Sequence, residues 1–113
     1  MGFEKLQIWK RSKNLAVDIY RCLNDSKEFG LKDQLTRSAL SVPSNIAEGY
    51  ERDSNAEFCR FLKIAKGSAG EVRTQLIIAQ ELGIIDPKKS RSMITEITEI
   101  SCMIKALIIK KST

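Results

Sequence analysis

Histidine is absent from this 113-residue sequence, and several other residue types are scarce. Without histidine, a Ser-His-Asp or Cys-His catalytic group and a histidine-rich metal site are excluded. The Lys, Arg, Ser and carboxylate side chains fall in no catalytic motif, so the sequence predicts a protein that is not an enzyme and binds no metal or cofactor. No apolar run approaches the ~20 residues that cross a bilayer, and the charged N-terminal segment is unlike a signal peptide, which predicts no membrane association.

Cysteine and aromatic residues are also few. The three cysteines, Cys22, Cys59 and Cys102, form no Cys-x-x-Cys pair, and each lies in an amphipathic segment. This pattern predicts buried free thiols in a reducing cytoplasm and fits disulfides or zinc poorly. Aromatic residues make up 6% of the chain while Ile and Leu abound, which favours helix packing over a β-sandwich. The length suits one domain, covering residues 1–113.

Apolar residues recur every three or four positions in the first half of the chain, which is the spacing of amphipathic helices. The first series predicts a helix from about Glu4 to Asn24, followed by a loop that contains Gly30. The second series predicts a helix over Leu31–Tyr50. Pro43 lies inside it, and we expect a kink there without a division into two helices.

Two further helices are marked by their starting residues. Ser54 and Glu57 have the spacing of a capping box, and the apolar series that follows ends at Gly83. Asp86 and Pro87 suit the N-cap and the first position of a fourth helix, which runs nearly to the last residue. Because the connections are short, successive helices should be antiparallel, so the sequence predicts an all-α, antiparallel up-and-down four-helix bundle.

Two apolar runs, residues 76–78 and 107–109, are wider than one face of a bundle requires. Fully buried helix ends would explain them, and so would an interface between subunits. The second interpretation predicts a homo-oligomer.

Residues 31–39, 41–49 and 61–71 resemble the small four-helix-bundle proteins encoded in 23S ribosomal-RNA intervening sequences. The run S-V-P-S-N-I-A-E-G is the most specific part, and the resemblance extends from 3 to 110. It implies a left-handed bundle that assembles into a homopentamer. It also implies a loose relation to the accessory variability protein of diversity-generating retroelements, which binds nucleic acid and a reverse transcriptase.

Polar residues recur on matching sides of the second and third helices. Folding this hairpin about Ser54 places Arg37 opposite Glu71, Asn45 opposite Lys63, and Glu48 opposite Arg60. We interpret them as structural pairs. A ligand site is one alternative, and a catalytic Glu48–Glu71 pair is another, although the hairpin separates those two carboxylates. The predicted structural polar network comprises Arg37, Asn45, Glu48, Arg60, Ser68 and Glu71.

Gly67 and Gly70 lie within the predicted third helix, where each glycine costs roughly 1 kcal/mol relative to alanine. Close approach of another backbone is the favoured explanation, with Ser38 and Ala39 as the expected neighbours. A phosphate-binding glycine loop is the alternative, but such loops lie between a strand and the start of a helix.

The net charge of +5 is distributed unevenly in the predicted bundle. One end combines residues 1–13, 43–68 and 99–113, which hold 11 basic and 6 acidic residues, whereas the remainder holds 8 of each. This basic end predicts binding to RNA or DNA backbone, with a merely solubilising surface as the alternative. The candidate nucleic-acid contacts are Lys10, Arg11, Lys13, Arg52, Arg60, Lys63, Lys66, Lys105, Lys110 and Lys111.

These observations predict a non-enzymatic homo-oligomer, pentameric as the resemblance implies, that binds nucleic-acid backbone through its basic end and also a protein partner. The alternative is a protein–protein assembly adaptor with no nucleic-acid role. Small-ligand binding in a pore of the pentamer has no support from particular residues.

Overall fold

A computed structural model describes residues 2–113, and this part of the chain is helical with no strand. A short 3-10 turn, Phe3–Lys5, precedes four α-helices. We name them α1 (Gln7–Cys22), α2 (Phe29–Tyr50), α3 (Asn55–Glu81) and α4 (Pro87–Ser112). The all-helical fold predicted from the apolar periodicity is confirmed. No helix is long and apolar enough to span a membrane across the described residues.

Two helix boundaries differ from the sequence prediction. Leu6 has an extended backbone (φ −74°, ψ 128°), so the residues before it form a separate turn and α1 begins only at Gln7. Gly30, predicted in a loop, lies in the first turn of α2. Because the amides in the first turn of a helix have no partner within the helix, Gly30 can lie in that turn even though glycine is typical of loops. The prediction that α2 continues through Pro43 as one helix is confirmed.

The predicted start and end of α3 and the predicted start of α4 are confirmed. The Ser54 hydroxyl accepts from the Glu57 amide at 3.1 Å, and the Asp86 carboxylate accepts from the Lys89 amide at 3.1 Å. Gly83 has φ +70°, and its amide and that of Ile84 donate to the carbonyls of Gln80 and Ala79, the Schellman pattern. The other half of the capping box, in which the Glu57 carboxylate would accept from the Ser54 amide, is wrong, because that carboxylate binds Arg60 at 3.0 Å.

The core lies between all four helices and includes fully buried Ile19, Leu35, Leu62, Leu76 and Ile100. The packing of α3 against both α2 and α4 is the most extensive, whereas α1 contacts α4 least. At 43 × 21 × 19 Å, the molecule is a rod about twice as long as it is wide.

Contacts between α2 and α3 run in opposite sequence order. Ser38 contacts Gln75, Ser41 contacts Ser68, and Gly49 faces Phe61. The register predicted for this hairpin is therefore close to the one observed. At Gly49 the backbones approach so closely that a Cβ atom would lie 2.6 Å from the Cβ of Phe61.

The two wide apolar runs are incompletely buried. Ile77 and Ile108 are half-buried, but Ile78 is 44% exposed and Ile109 is 58% exposed. The interpretation as fully buried helix ends is therefore wrong for these two residues. The expectation of buried thiols holds for Cys59 alone, since Cys22 is half-buried and Cys102 is exposed; all three are free.

Candidate nucleic-acid interface

Three parts of the chain meet at the basic end. The N-terminal segment lies against the α2–α3 turn, because a Cβ on Gly2 would lie 3.5 Å from the Tyr50 ring and 3.6 Å from the Glu51 carboxylate. Tyr50, Ser54 and Lys111 line one cavity of about 220 Å³, which brings the end of α4 to the same place. This grouping agrees with the one used to count charges from the sequence.

Two of the ten candidate cations at this end are neutralised beside the α2–α3 turn. Arg52 pairs with Glu48 at 3.2 Å and with Glu57 at 3.8 Å, and Arg60 pairs with Glu57 at 3.0 Å. Both guanidiniums also lie over the ring of Phe61, at 4.9 and 4.4 Å. The hydrogen bond from Arg60 lowers the pKa of Glu57. These arginines are held by neighbouring side chains and offer little charge to a phosphate.

Arg11 is a third candidate that serves the fold. Its guanidinium donates to Glu96, with Nε 2.8 Å from Oε2, and to Glu99 at 2.7 Å, and it also contacts the sulfur of Met103. These bonds join α1 to α4, the pair of adjacent helices with the sparsest packing. The hydrogen bond from Arg11 holds the pKa of Glu96 below its ordinary value.

Replacing Arg11 by methionine should destabilise the protein by about 1 kcal/mol. Hydrogen bonds between charged groups contribute about 1.5–3 kcal/mol, and a discount applies because Arg11 and Glu96 are each about a third exposed. Urea denaturation would measure the change. Arg37→Met is the matched control, because Arg37 pairs only with Asp33 on its own helix in an exposed bridge, and less than about 0.5 kcal/mol should be lost.

The contribution of the Arg11–Glu96 pair to stability should also depend on pH. Since the pKa of Glu96 is lowered on folding, its contribution is present above the pKa of an unfolded glutamate and is lost as the pH falls through the lowered value. The stability difference between wild type and Arg11→Met should therefore vanish in acid. A difference that persists there would show that Arg11 stabilises the fold through packing alone.

The seven candidate lysines take part in no ion pair within residues 2–113. Six of them are exposed and Lys111 is half-buried. Lys13 contacts Asn14 at 2.8 Å and lies 5.7 Å from the centre of the Trp9 ring. Among the candidate contacts, the positive charge outside ion pairs therefore comes from lysine: Lys10, Lys13, Lys63, Lys66, Lys105, Lys110 and Lys111.

Four of these lysines lie where α3 packs on α4. The thiol of Cys59 lies 3.7 Å from the carbonyl of Ile108 and 3.6 Å from the hydroxyl of Ser112, which identifies the side of α3 that faces α4. Lys63 and Lys66 follow Cys59 at helical spacing, and Lys105 precedes Ile108 in the same way. Lys111 lines a cavity with Phe58 of α3. We call the resulting surface the α3–α4 lysine face: Lys63, Lys66, Lys105 and Lys111.

Acidic residues are missing from the segments that form this face. Residues 58–70 and 100–113 contain six cationic side chains and no Asp or Glu. Lys10 and Lys13, by contrast, lie on α1, where Lys13 lines a groove towards α2. The structure therefore divides the predicted interface into the α3–α4 lysine face and three separate lysines, Lys10, Lys13 and Lys110.

The polar network between α2 and α3 has partly different members from those predicted. Ser38 donates to Gln75 at 2.6 Å, the hydroxyls of Ser41 and Ser68 lie 2.8 Å apart, and the amide of Asn45 donates to Ser41 at 2.9 Å. Asn45 and Ser68 belong to the network as predicted. Ser38, Ser41 and Gln75 were missed, although the spacing of Ser38, Ser41 and Asn45 on one side of α2 was the available signal.

The three predicted cross-helix pairs are wrong within the chain. Arg37 pairs with Asp33, Glu48 pairs with Arg52, and Asn45 binds Ser41. Exposed Glu71 takes part in no ion pair of the described residues. The register was right, but long charged side chains on the outer surface reach a partner one turn away on their own helix more readily than one on the next helix.

The expected packing around the two mid-helix glycines is also wrong. A Cβ atom added at Gly67 or Gly70 would meet nothing within 4 Å. Ser38 and Ala39 were the predicted neighbours of these glycines. Ser38 instead packs on Gln75, and Ala39 is buried in the core. Within one chain nothing offsets the cost of placing both glycines in α3. Within residues 2–113, no group of three or more His, Cys, Asp or Glu side chains is placed to hold a metal ion.

Comparison with known proteins agrees with the resemblance seen in the motifs. The family model described as 23S rRNA-intervening sequence protein matches residues 4–106. A crystal structure of a protein of unknown function from the S23 ribosomal protein family of Bacteroides thetaiotaomicron is 30% identical, with a TM-score of 0.84. That match covers 89% of this chain and 97% of the other. No curated protein matches this chain significantly. The chain therefore belongs to the family of 23S rRNA-intervening sequence proteins.

Proposed function

We propose that this protein is a non-enzymatic, self-assembling, left-handed antiparallel four-helix bundle of the cytoplasm that binds the phosphate backbone of RNA or DNA. The observation that carries the proposal is the α3–α4 lysine face, whose lysines take part in no ion pair of the described residues. Lysines outside ion pairs remain available to phosphate, and each one that neutralises a phosphate releases a condensed counterion.

Backbone contact is favoured over base recognition. Near the basic end, the aromatic rings of Trp9, Tyr50, Phe58 and Phe61 pack on other protein groups, so they are not platforms for base stacking. Lysine is a compact point charge with no planar fork for base edges, which suits contact with phosphate of any sequence. We therefore expect similar affinity for unrelated sequences of equal length.

Self-assembly is the second part of the proposal. Exposed Ile78, Ile109 and Leu40 leave apolar surface that one chain does not bury. Five subunits, the number that the family resemblance implies, would carry five copies of the lysine face. Repetition of a lysine face around a ring would strengthen binding to a continuous backbone through multivalency.

Fluorescence anisotropy with labelled RNA and duplex DNA tests the binding proposal. Binding at low salt that weakens steeply as salt is added is the expected result, because the interaction depends on counterion release. Flat anisotropy for both polymers at low salt would overturn it.

An assembly adaptor without a nucleic-acid role is the second candidate function. It is favoured by two large apolar side chains, Phe29 and Leu82, which are 69% and 65% exposed where α2 begins and α3 ends. This end is remote from the lysine face, so a protein partner could bind there. If Phe29→Ser/Leu82→Ser abolished capture of a protein partner while wild type showed no binding to RNA or DNA, the adaptor function would replace the first proposal.

A further inference from the structure

An apolar groove lies open between α1 and α2. Its floor is formed by Val17, Tyr20, Leu40 and Pro43, and it has a volume of about 320 Å³. Tyr20 is 49% exposed and Leu40 is 51% exposed, so about half of each of these large side chains is open to solvent. The surface is a contiguous site and not a set of scattered apolar residues, which makes it a candidate for contact with another protein.

The rim of this groove carries only positive charge. Lys13 and Arg21 line it, and no carboxylate does. Both belong to α1 and lie about 12 Å apart along the helix axis at 1.5 Å per residue. A surface that fits this groove should be apolar, should carry an acidic side chain near its centre, and should let a helix approach closely.

The outer side of α3 has these properties. Ile64, Gly67, Glu71, Thr74 and Ile78 alternate by three and four residues and form one straight stripe, which we call the α3 stripe. Ile64 and Ile78 are exposed apolar residues at its two ends, and Glu71 at the centre has no ion-pair partner within the described residues. Gly67 and the adjacent Gly70 leave an open notch beside Glu71.

We infer that the α3 stripe of one copy of this chain docks in the α1–α2 groove of a second copy, with Glu71 paired to Lys13 or Arg21. This inference rests on the self-assembly proposed above and identifies the two surfaces that make it. Gly67 lies about 6 Å along the helix from Glu71, the same distance that separates Val17 from either cation, so the notch lies over the apolar floor.

The charge of Glu71 and the open backbone at Gly67 and Gly70 both favour a second copy of this chain as the occupant of the groove. The groove needs a carboxylate flanked by small residues, and Glu71 is in that setting between Gly67, Gly70 and Thr74. The contact also accounts for two glycines in the middle of a long helix, where they weaken the helix and no neighbour in their own chain requires them. Because the two surfaces differ, the contact is head-to-tail, and its repetition closes into a ring when the rotation between copies permits.

Sedimentation equilibrium at micromolar concentration tests the contact. Wild type should have a mass that is a multiple of 12.7 kDa. Gly67→Leu/Gly70→Leu fills the notch and should give a monomer that keeps the helical circular dichroism spectrum of wild type, since leucine is the better helix former and meets nothing in its own chain. A merely structural role for the glycines would not produce loss of assembly without loss of folding.

Charge exchange supplies a second test that does not depend on steric blocking. Glu71→Lys alone and Lys13→Glu/Arg21→Glu alone should each weaken assembly at least tenfold, and combining them in one chain should restore it. Leu82→Glu is the matched control, because Leu82 is equally accessible but lies outside both surfaces, and it should keep the wild-type mass.

The outcomes separate this contact from self-assembly itself. A wild type that stays at 12.7 kDa overturns both. A wild-type oligomer that survives Gly67→Leu/Gly70→Leu, or that is not restored by the charge exchange, overturns only the contact between the α3 stripe and the groove. Loss of assembly in Leu82→Glu would overturn it as well, since a different surface would then hold the copies together.

Discussion

Replacing Gly49 by alanine should lower the free energy of unfolding by about 2 kcal/mol. The new Cβ would lie 2.6 Å from the Cβ of Phe61, 3.2 Å from the ring of Phe58 and 3.3 Å from the carbonyl of Phe58. Because two of these contacts involve atoms close to or in the backbone of α3, the helices must move apart. Overpacking of this kind costs about 1–3 kcal/mol, and the better helix propensity of alanine offsets up to about 1 kcal/mol.

Gly30→Ala is the matched control, since Gly30 also lies in α2 but a Cβ there meets nothing within 4 Å. Its stability should stay within about 0.5 kcal/mol of wild type or rise slightly. Urea denaturation of both variants would measure the difference. Equal stabilities would mean that α2 and α3 are not in close contact at Gly49.

Reversing three charges of the α3–α4 lysine face should weaken binding to nucleic acid by about 100-fold or more at 0.1 M salt. Lys63→Glu/Lys66→Glu/Lys105→Glu removes three phosphate contacts, and each contact contributes a factor that grows as salt is lowered. The loss should be similar for unrelated sequences, because phosphate carries no sequence information. No single lysine should be essential, since the affinity is a sum over many charges.

The control for this variant is Lys88→Glu/Lys89→Glu/Arg91→Glu at the start of α4. It produces the same change in net charge at three exposed residues on the opposite end of that helix. Its affinity should remain within about tenfold of wild type, because only the long-range field changes. If the two triple variants lost affinity equally, net charge and not its placement would govern binding, and the lysine face would be only a solubilising surface.

The sequence predicted the helices well because their signals are local. The Ser54 and Asp86 caps, the Gly83 stop and the apolar periodicity each act within a few residues, and all were confirmed. The hairpin register was also predicted, since one short turn fixes it. What failed were contacts between exposed side chains on different helices, such as Arg37 with Glu71, where a partner on the same helix competes.

The candidate interface could be predicted only as a count of charges. The sequence places eleven bases at one end, but it does not say which of them already have partners. Arg11, Arg52 and Arg60 are held by carboxylates from α2, α3 and α4, and these partners depend on side-chain directions that the structure alone supplies. The glycines of α3 were noticed for their cost to the helix, yet a Cβ at either position meets nothing in its own chain.

The central claim is that lysines of the α3–α4 face neutralise phosphates, and the slope of binding affinity against salt measures this most directly. We predict that log Kobs for duplex DNA falls linearly with log salt for wild type. For Lys63→Glu/Lys66→Glu/Lys105→Glu the slope should be shallower by about 2.7, which is about 0.9 for each lost contact, while the α4-start control keeps the wild-type slope. A wild-type affinity that does not depend on salt, or a slope that both triple variants share, would contradict the claim.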